Sequence, residues 1–308
     1  MRVGLLGRSG QIAQKYLELL KHHPWFELTF VASRDGEQLG TLPDCALLFS
    51  ALPGKVAEKW EPYYVEHGYT VISSASYCRL NPKVPLVIPE LNAHLLKGHT
   101  GLIAKPNCSL QSYVLPLGFL HQHFGIEKVH VTTLQAISGA GANRNNPAFI
   151  ENVVPYIQGE EEKCEQEPLK ILGNDIVISA HCNRVFVQEG HLANVSVSFR
   201  KKPSRDEILK VWNEAPSLDL PSAPRPLFRY FEQEDRPQPR YDLDPMQISI
   251  GRLRPCPLLD WRFSALSHNT MRGGAGGGVL IGEVIYHETQ SKLRQSTQEL
   301  PLPEDAGV

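Results

Sequence analysis

A glycine turn near the N-terminus, Gly7-Arg-Ser-Gly10, is the feature that most constrains the fold of this 308-residue chain. Before it lies a short apolar run, residues 2–6, and after it residues 11–21 carry apolar side chains at helical spacing. A second apolar run at 27–32 completes a strand–turn–helix–strand order, which predicts the βαβ unit of a nucleotide-binding sheet. Glycines in such a turn let backbone N–H groups approach a phosphate at the positive end of a helix. An ordinary strand-to-helix turn can show the same glycines, so the prediction depends on the flanking strands.

The residues after the second strand bear on which dinucleotide this unit prefers. NAD sites usually have an acidic residue there, because its carboxylate binds the free ribose 2′-hydroxyl. Here the strand is followed by Ser33 and Arg34, side chains suited to the 2′-phosphate of NADP. Asp35 comes next and would repel that phosphate if it faced the ribose. We therefore expect NADP as the cofactor, with NAD as the alternative that Asp35 leaves open.

The rest of the chain predicts an α/β fold with two different sheets. Strand-like runs at 46–50, 69–73 and 86–88, with a helix at 55–67, extend a parallel nucleotide-binding sheet. After Cys108 the runs alternate, which favours a second, mixed sheet with one covered face; they lie at 128–134, 183–188, 192–199, 247–251 and 261–266. We expect a surface helix at 205–215 after the cap Ser204, a final helix near 279–288, and loose residues from 291 to the end. Residues 216–257 hold nine of the 24 prolines and are expected to form an irregular arm.

Composition excludes several classes of partner. Acidic residues number 33 and basic residues 31, with no basic run, so a nucleic-acid partner is not expected. No apolar stretch approaches the roughly 20 residues of a membrane span, and a cytoplasmic location is the default expectation. None of the six cysteines forms a Cys-x-x-Cys pair, so neither a zinc site nor a disulfide framework is expected.

Cys108 differs from the other cysteines in its surroundings. It lies in Lys105-Pro-Asn-Cys-Ser-Leu-Gln111, between a strand-like run at 101–104 and a helical run at 109–120. A thiol at a helix N-terminus is expected to have a lowered pKa, because the helix dipole stabilises the thiolate. A buried structural cysteine is the alternative, and it suits the other five positions better.

Two further segments carry polar side chains next to glycines. Gln135 ends an alternating strand before the loop Ala136-Ile-Ser-Gly-Ala-Gly141, and Arg184 and His191 flank a short strand and turn. His191, directly after Gly190, is a candidate acid/base partner for a cysteine nucleophile. Taken singly, each of these residues also fits a packing or surface role.

The order of these segments resembles that of the aspartate-semialdehyde dehydrogenases, specifically the archaeal and fungal type. The matching motifs run along almost the whole chain. They are Pro85-Leu-Val-Ile-Pro-Glu-Leu-Asn92, Pro106-Asn-Cys-Ser109, Thr133-Leu-Gln-Ala-Ile-Ser-Gly-Ala-Gly141, Gly159-Glu-Glu-Glu-Lys163, Arg184-Val-x-Val-x-x-Gly-His191, Asp235-Arg-Pro-Gln-Pro-Arg240, Gly251-Arg-Leu-Arg254 and His268-Asn-Thr-Met-Arg-Gly-Gly-Ala275. Each motif is modest alone, and their common order makes the resemblance specific.

The resemblance implies an NADP-dependent enzyme that forms a thioester during the reduction of an acyl phosphate. In it, Cys108 is the nucleophile, His191 the acid/base, and Gln135 orients the thioester. Arg184 is implied to bind the α-carboxylate of the substrate and Glu160 its ammonium group, while phosphate binds to Lys163, Arg79 and Asn107. The NADP site is implied to be lined by Gly7, Ser9, Gly10, Ser33, Arg34, Ser138, Gly139 and Asn269.

The resemblance also implies a division of the chain. Residues 1–107 and 270–308 are expected to form a Rossmann-like NADP-binding domain, to which the last helix returns. Residues 108–269 are expected to form an α+β catalytic and dimerisation domain with the mixed sheet. The partners would be a small-molecule substrate, phosphate, and further copies of the chain in a homodimer or homotetramer.

Two other functions remain open at this point. N-acetyl-glutamyl-phosphate reductases share the fold and the thioester chemistry, but an N-acetylated substrate has no ammonium group for Glu160 to bind. A nucleotide-binding redox sensor without catalysis would not need the set Cys108, Gln135, Arg184 and His191. We expect the amino-acid biosynthetic enzyme on both grounds.

Overall fold

Five short apolar runs in the first third of the chain form one parallel sheet in the computed structural model, which describes residues 1–33 and 38–298. The strands are β1 (Arg2–Leu6), β2 (Glu27–Ala32), β3 (Leu47–Ser50), β4 (Thr70–Ser73) and β5 (Leu102–Ala104). They are arranged in the order β2-β1-β3-β4-β5, and every neighbouring pair is parallel. β1 and β3 are almost completely buried, as expected for parallel strands covered on both faces.

Helices cover both faces of this sheet. α1 (Gln11–Leu20) and α8 (Gly276–Gln298) lie on one face, where Tyr16 and Val279 pack in the same cluster as Val3. α2 (Gly54–Glu66) lies on the other, where Tyr64 packs in the same cluster as Leu6. The prediction of a parallel sheet with helices in the N-terminal third is therefore confirmed, and the structure adds that both faces are covered.

The final helix is longer than the sequence pattern predicts. α8 continues to Gln298, so the expectation of loose chain from residue 291 is wrong for 291–298, while residues 299–308 lie outside the described part. The polar residues there include good helix formers, and no proline occurs before Pro301. Within the described residues, no helix combines the length and apolar character needed to cross a bilayer.

The second sheet has seven strands and is mixed. The strands are β6 (Ile126–Gln135), β7 (Val153–Val154), β8 (Val177–Val185), β9 (His191–Phe199), β10 (Phe228–Phe231), β11 (Ile248–Pro255) and β12 (Trp261–Ser267). Their order is β10-β11-β12-β9-β6-β8-β7; β6–β8 and β10–β11 are parallel and the other neighbours antiparallel. α4 (Leu110–Phe124), α5 (Glu160–Leu172) and α6 (Arg205–Asn213) pack on one face. His130, His181 and Asn194 lie exposed on the other, which confirms the predicted sheet with one covered face.

Several boundaries differ from the sequence prediction. Residues 86–88 form only a bridge from Leu86 to Ala104, because Pro89 starts the short helix α3 (Pro89–Asn92). The strand expected at 183–188 is the end of β8, which begins at Val177 and ends at Val185. The Pro-rich segment is not wholly irregular, since it contains β10 and the short helix α7 (Pro239–Asp242). The cap at Ser204 is confirmed, and α6 ends at Asn213.

Candidate active site

A groove runs along the carboxyl ends of the first sheet, at β1 and β3. In a sheet of this strand order the crevice between those two strands is where ligands bind, because the chain leaves them in opposite directions. The groove is bordered by the glycine turn, by the segment after β3, and by a loop that follows β6. Its lining residues are Gly7, Arg8, Ser9, Gly10, Gln11, Gln14, Ala51, Pro53, Gly141, Ala142 and Arg144.

The geometry of the glycine turn fits a dinucleotide phosphate. Gly7 has a φ of +105°, and a Cβ there would lie 3.2 Å from the backbone of Ala51. A Cβ on Gly10 would meet no atom within 4 Å, so this residue faces open space. Gly10 also precedes α1 without a side-chain cap, which leaves the first N–H groups of the helix to bind an anion.

A deeper cleft continues from this groove to Cys108. The two cavities share Gly10, Gln11, Ala51 and Gly141, so a ligand seated on the glycine turn can extend to the thiol. The deeper cleft has a volume of about 250 Å³. It is further lined by Ile12, Ser74, Arg79, Lys105, Asn107, Ser138, Gly139, Asn269, Thr270, Gly273 and Gly274.

Cys108 lies in the turn between β5 and α4. Its Sγ lies 3.4 Å from Nε2 of His191. The side chain of Asn107 shapes the turn, because its Oδ1 accepts from the backbone N–H of Ser109 at 2.8 Å and from the hydroxyl of Ser109 at 2.7 Å. The thiol therefore occupies the predicted place at the start of a helix, and faces the second sheet.

Strand register places three predicted site residues in one row of that sheet. Gln135 at the end of β6 pairs with Arg184 on β8 and with His191 on β9. All three side chains are buried on the face that α4 and α5 cover. The sheet thus brings together residues that are separated by up to 56 positions in the chain.

The hydrogen bonds of His191 fix its tautomer. The backbone N–H of Ala136 donates to Nδ1 at 3.1 Å, so in the neutral ring the proton is on Nε2, the atom facing Cys108. Burial, and next to it the charge of Arg184, lower the pKa of His191 to about 3. The imidazole is therefore neutral near pH 7 and donates its Nε2–H toward the sulfur.

The expected lowering of the Cys108 pKa is wrong for this arrangement. Burial raises the pKa of the thiol, and the carboxylate of Glu160 raises it further. Lys105, Arg79 and Arg184 act in the opposite direction but do not outweigh these two causes. The predicted lowering rests on the helix dipole alone, and desolvation together with the facing carboxylate of Glu160 outweighs it.

Glu160 is the first residue of α5 and collects several donors. It accepts from Nδ2 of Asn107 at 3.0 Å, from Nε2 of Gln135 at 3.3 Å and from Nζ of Lys163 at 2.8 Å. Burial raises its pKa, but Lys163 and the hydrogen bonds from Gln135 and Asn107 lower it below its usual range. The structure therefore brings Glu160, Lys163 and Asn107 together, with the acid ionised.

Arg79 lines the same cleft and is held there by Glu167, a residue that was not predicted to belong to the site. Its Nη1 donates to Oε1 of Glu167 at 2.9 Å, and the other oxygen of Glu167 accepts from the backbone N–H of Asn107 at 2.7 Å. Glu167 is almost completely buried. It lies seven residues, or two helical turns, after Glu160, so both carboxylates lie on the same face of α5. This spacing could have identified Glu167 from the sequence.

The remaining predicted cofactor residues lie where the two sheets meet. Nδ2 of Asn269 donates to the hydroxyl of Ser138 at 2.8 Å, and that hydroxyl donates to Glu189 at 2.9 Å. Glu189 also accepts from Nε2 of Gln11 on α1 at 3.3 Å, a contact that no sequence pattern predicted. A Cβ on Gly139 would lie within 3.0 Å of both Arg184 and His191, so this glycine lets the loop close over them.

The residues expected at the adenosine end are only partly described. Ser33 is partly buried directly after β2. Arg34, together with the opposing Asp35, lies outside the described residues. The choice of NADP by Ser33 and Arg34 therefore stays a prediction.

Comparison with known proteins gives a consistent family. Residues 37–99 match the family model "Semialdehyde dehydrogenase, NAD binding domain", and residues 117–272 match "Semialdehyde dehydrogenase, dimerisation domain". The aspartate-semialdehyde dehydrogenase of Archaeoglobus fulgidus is 37% identical over 93% of this chain and 98% of the relative. That of Saccharomyces cerevisiae is 34% identical over 92% and 96%.

Solved structures agree with these relatives. The structure of aspartate semialdehyde dehydrogenase with NADP from Candida albicans superposes with a TM-score of 0.82 at 32% identity, covering 94% of this chain and 99% of that one. The Vibrio cholerae aspartate semialdehyde dehydrogenase II complexed with ASA has the same fold, with a TM-score of 0.82 at 22% identity over 93% and 98%. These matches confirm the resemblance inferred from the motifs. The chain belongs to the aspartate-semialdehyde dehydrogenase family.

Proposed function

We propose that the chain catalyses the NADPH-dependent reductive dephosphorylation of L-aspartyl 4-phosphate to L-aspartate 4-semialdehyde. This is a step in the biosynthesis of lysine through diaminopimelate, and of threonine and methionine. The observation that carries the proposal is the 3.4 Å contact between Cys108 Sγ and His191 Nε2, at the inner end of a groove that starts at a glycine turn. A nucleophile, a proton donor and a dinucleotide site are thereby joined in one cleft.

Cys108 supplies the covalent chemistry in this proposal. Its thiolate attacks the carbonyl carbon of the acyl phosphate, the C–S bond forms, the C–O bond to phosphate breaks, and inorganic phosphate leaves. When bound, NADPH supplies the hydride that reduces the resulting thioester. The C–S bond then breaks, and the sulfur leaves as the thiolate with the aldehyde released. Thiolate is a suitable leaving group here, so the same atom serves both half-reactions.

His191 and Gln135 act on the oxygen of the reacting carbonyl. The Nε2–H of His191 faces Cys108 and is placed to donate to that oxygen as negative charge develops on it. The charge of Arg184 is one cause of the low pKa of His191, so a substrate carboxylate bound to Arg184 would raise it. Substrate binding thus prepares the imidazole to carry a proton during the reaction. Gln135 lies in register beside His191 and orients the thioester.

The substrate groups are assigned to the charged residues of the cleft. Arg184 binds the α-carboxylate, and Glu160 binds the ammonium group. Phosphate binds to Lys163, Arg79 and Asn107. Because Lys163 is paired with Glu160 at 2.8 Å, phosphate that draws Lys163 away would free Glu160 for the ammonium group.

The cofactor lies along the groove. The residues assigned to NADP are Gly7, Ser9, Gly10, Ser33, Arg34, Ser138, Gly139 and Asn269. The open space above Gly10 and the uncapped start of α1 support the position of the pyrophosphate. The family relative from Candida albicans is described as a complex with NADP, which supports the choice of cofactor.

Domain organisation and assembly follow the same proposal. Residues 1–107 and 270–308 make up the NADP-binding domain, and the packing of α8 on the first sheet supports this division. Residues 108–269 make up the catalytic and dimerisation domain. The uncovered face of the second sheet is the surface through which a homodimer, or a homotetramer of two such dimers, would form. Use of NADPH and of a reduced thiol suits the cytoplasm.

One assay tests the function. Purified protein is given L-aspartate 4-semialdehyde, NADP and phosphate, and formation of NADPH is followed at 340 nm. We expect reduction of NADP that requires phosphate, is absent with N-acetyl-glutamate semialdehyde, and is lost in Cys108→Ala while NADP still binds. Turnover without phosphate, preference for the N-acetylated substrate, or substantial activity in Cys108→Ala would refute the proposal.

A further inference from the structure

Lys105 is a buried cation that has no role in the proposed reaction. It lies three residues before Cys108 and lines the same cleft. Its side chain is only 4% exposed. A lysine withdrawn from water to this degree needs partners that compensate its lost hydration.

The partners of Lys105 are main-chain carbonyls around Cys108. Its Nζ donates to the carbonyl of Gly273 at 2.5 Å and to that of Pro106 at 3.1 Å. Gly273 in turn lies directly against the nucleophile, since a Cβ there would come within 2.8 Å of both Cα and Cβ of Cys108. The ammonium group is thus fixed between the two backbone segments that enclose Cys108.

Carbonyls do not neutralise the ammonium group, so its charge acts on the thiol. Of the three cations that lower the pKa of Cys108, Lys105 contributes most, ahead of Arg79 and Arg184. Burial raises that pKa, and so does Glu160. Lys105 is therefore the main charge that opposes Glu160 at the sulfur, while His191 is neutral beside it.

The effect is reciprocal. Burial lowers the pKa of Lys105 to about 8, and the charge of Arg79 lowers it further. A negative Cys108 raises it, as does Glu167. Formation of the thiolate therefore favours the protonated lysine, and the charged lysine favours the thiolate.

We propose that Lys105 is a positioning residue whose ammonium group, held by the carbonyls of Gly273 and Pro106, stabilises the thiolate of Cys108. The inference rests on the proposed function of Cys108 as the nucleophile. It assigns a role to a residue that contacts neither substrate nor cofactor in that proposal. The role is electrostatic, so it requires the charge and not the hydrogen bonds alone.

Alkylation of Cys108 tests the inference without any turnover. The rate of iodoacetamide addition at Cys108, read by peptide mass spectrometry, is measured against pH in the unsubstituted protein, in Lys105→Met and in Lys105→Gln. Glutamine keeps a hydrogen-bond donor but has no charge. Below about pH 8, where Lys105 is charged, we expect the rate to fall about tenfold or more in both variants, as loss of a close opposite charge does. An unchanged rate at pH 7 in Lys105→Gln would overturn the proposal.

Lys170 provides a matched control. Its Nζ also caps main-chain carbonyls, those of Arg79, Asn81 and Val84, at 2.6–2.7 Å. It is not among the main causes of the shift in the Cys108 pKa. Lys170→Met should leave the alkylation rate at pH 7 unchanged even if it lowers the melting temperature. An equal fall in this variant would mean that loss of local packing, and not of the Lys105 charge, lowers the rate.

A second measurement covers the case in which the Lys105 variants do not fold. In the unsubstituted holoprotein, lysine side chains labelled with ¹³C are titrated by NMR before and after Cys108 is alkylated. One lysine should titrate near 8, and its chemical shift should change when Cys108 is alkylated, which identifies it as the neighbour of the thiol. A spectrum with no such lysine would contradict the inference. Failure of the proposed function would appear elsewhere, as phosphate-dependent turnover that survives Cys108→Ala.

Discussion

Arg184 donates one of its N–H groups to the carbonyl of Ala136 at 2.7 Å, which fixes the guanidinium and leaves its other N–H groups for a ligand. A carboxylate can then be held by two parallel hydrogen bonds, which an ammonium group cannot form. Arg184→Lys should therefore lower kcat/KM for L-aspartate 4-semialdehyde at least tenfold, given about 1.5–3 kcal/mol for a charge-assisted hydrogen bond. Propanal, which has no carboxylate, should be affected much less. An equal loss for both aldehydes would show that Arg184 supports the loop and not the substrate.

The ionisation of the Cys108–His191 pair predicts the pH dependence of the free enzyme. The thiol must lose its proton to react, and burial and Glu160 raise its pKa, so kcat/KM should rise with pH. The inflection should lie above about 8.5, the ordinary value for cysteine. His191, with a pKa of about 3, should add no inflection between pH 5 and 8. A plateau already reached at pH 7 in a steady-state profile would contradict this arrangement.

At the residue scale, local sequence predicted the chemical groups of the site but not their electrostatics. Cys108 and His191 stand out because of their neighbours in the chain, and the structure places them in contact. The pKa of Cys108 was mispredicted, because it depends on Glu160, which is 52 residues away in sequence. Glu189 was missed because its contact with Gln11 joins distant segments.

At the scale of elements, α2 carries a buried carboxyl group, Glu61, whose protonation makes the stability of the protein depend on pH. Glu61 is fully buried against the first sheet, where it accepts from the hydroxyl of Ser73 at 2.9 Å. Burial raises its pKa, and the neighbouring hydroxyl groups of Ser50, Ser73 and Tyr77 offset only part of that rise. The folded protein therefore keeps a proton on Glu61 at a pH where the unfolded chain has lost it.

This arrangement predicts that Glu61→Gln has a pH-dependent effect on stability. Below the ordinary glutamate pKa of about 4.3, Glu61 of the unsubstituted protein is protonated in both the folded and the unfolded state, so its ionisation does not affect stability. Between that value and the raised pKa of the folded state, the free energy of unfolding of the unsubstituted protein should fall by about 1.4 kcal/mol per pH unit relative to that of Glu61→Gln. In thermal unfolding, the melting temperature of Glu61→Gln should rise relative to that of the unsubstituted protein between pH 5 and pH 8. A constant difference in melting temperature across that range would refute the buried-acid argument.

The helices and strands were predictable where apolar residues are regularly spaced along the chain. The strands and helices of the first sheet follow their apolar runs closely, because both faces are covered. β8 was predicted too short and too late, because its buried face carries the small or polar side chains of Ala180, Cys182 and Arg184 and so shows little apolar signal. β10 was missed because the prolines around it suggested an irregular arm, whereas Phe228 and Phe231 anchor it at the sheet edge.

At the scale of the whole molecule, a buried ion pair lies between the two sheets and involves Arg272, in the segment directly before α8. Arg272 donates to both oxygens of Glu90 on α3, at 2.7 and 2.6 Å. Its Nε donates to Gln111 on α4 at 3.1 Å. The next residue, Gly273, lies against Cys108. The motifs containing Glu90 and Arg272 are 182 residues apart, so sequence alone could suggest the family but not this pairing.

This pairing predicts a strong energetic coupling between Arg272 and Glu90. Both side chains are at most 2% exposed, so removing one partner leaves the other as an uncompensated charge in the interior. Arg272→Met and Glu90→Gln should each lower the free energy of unfolding by about 3–5 kcal/mol. The double variant leaves no buried charge and should lose clearly less than the sum of the two single losses. Urea unfolding of the four proteins gives the coupling energy, and Lys210→Met, which removes an exposed pair with Glu214, serves as the control with a loss below about 1 kcal/mol. Additive losses in the double variant would mean that the two residues stabilise the molecule independently, and that α8 is joined to the nucleophile turn by packing alone.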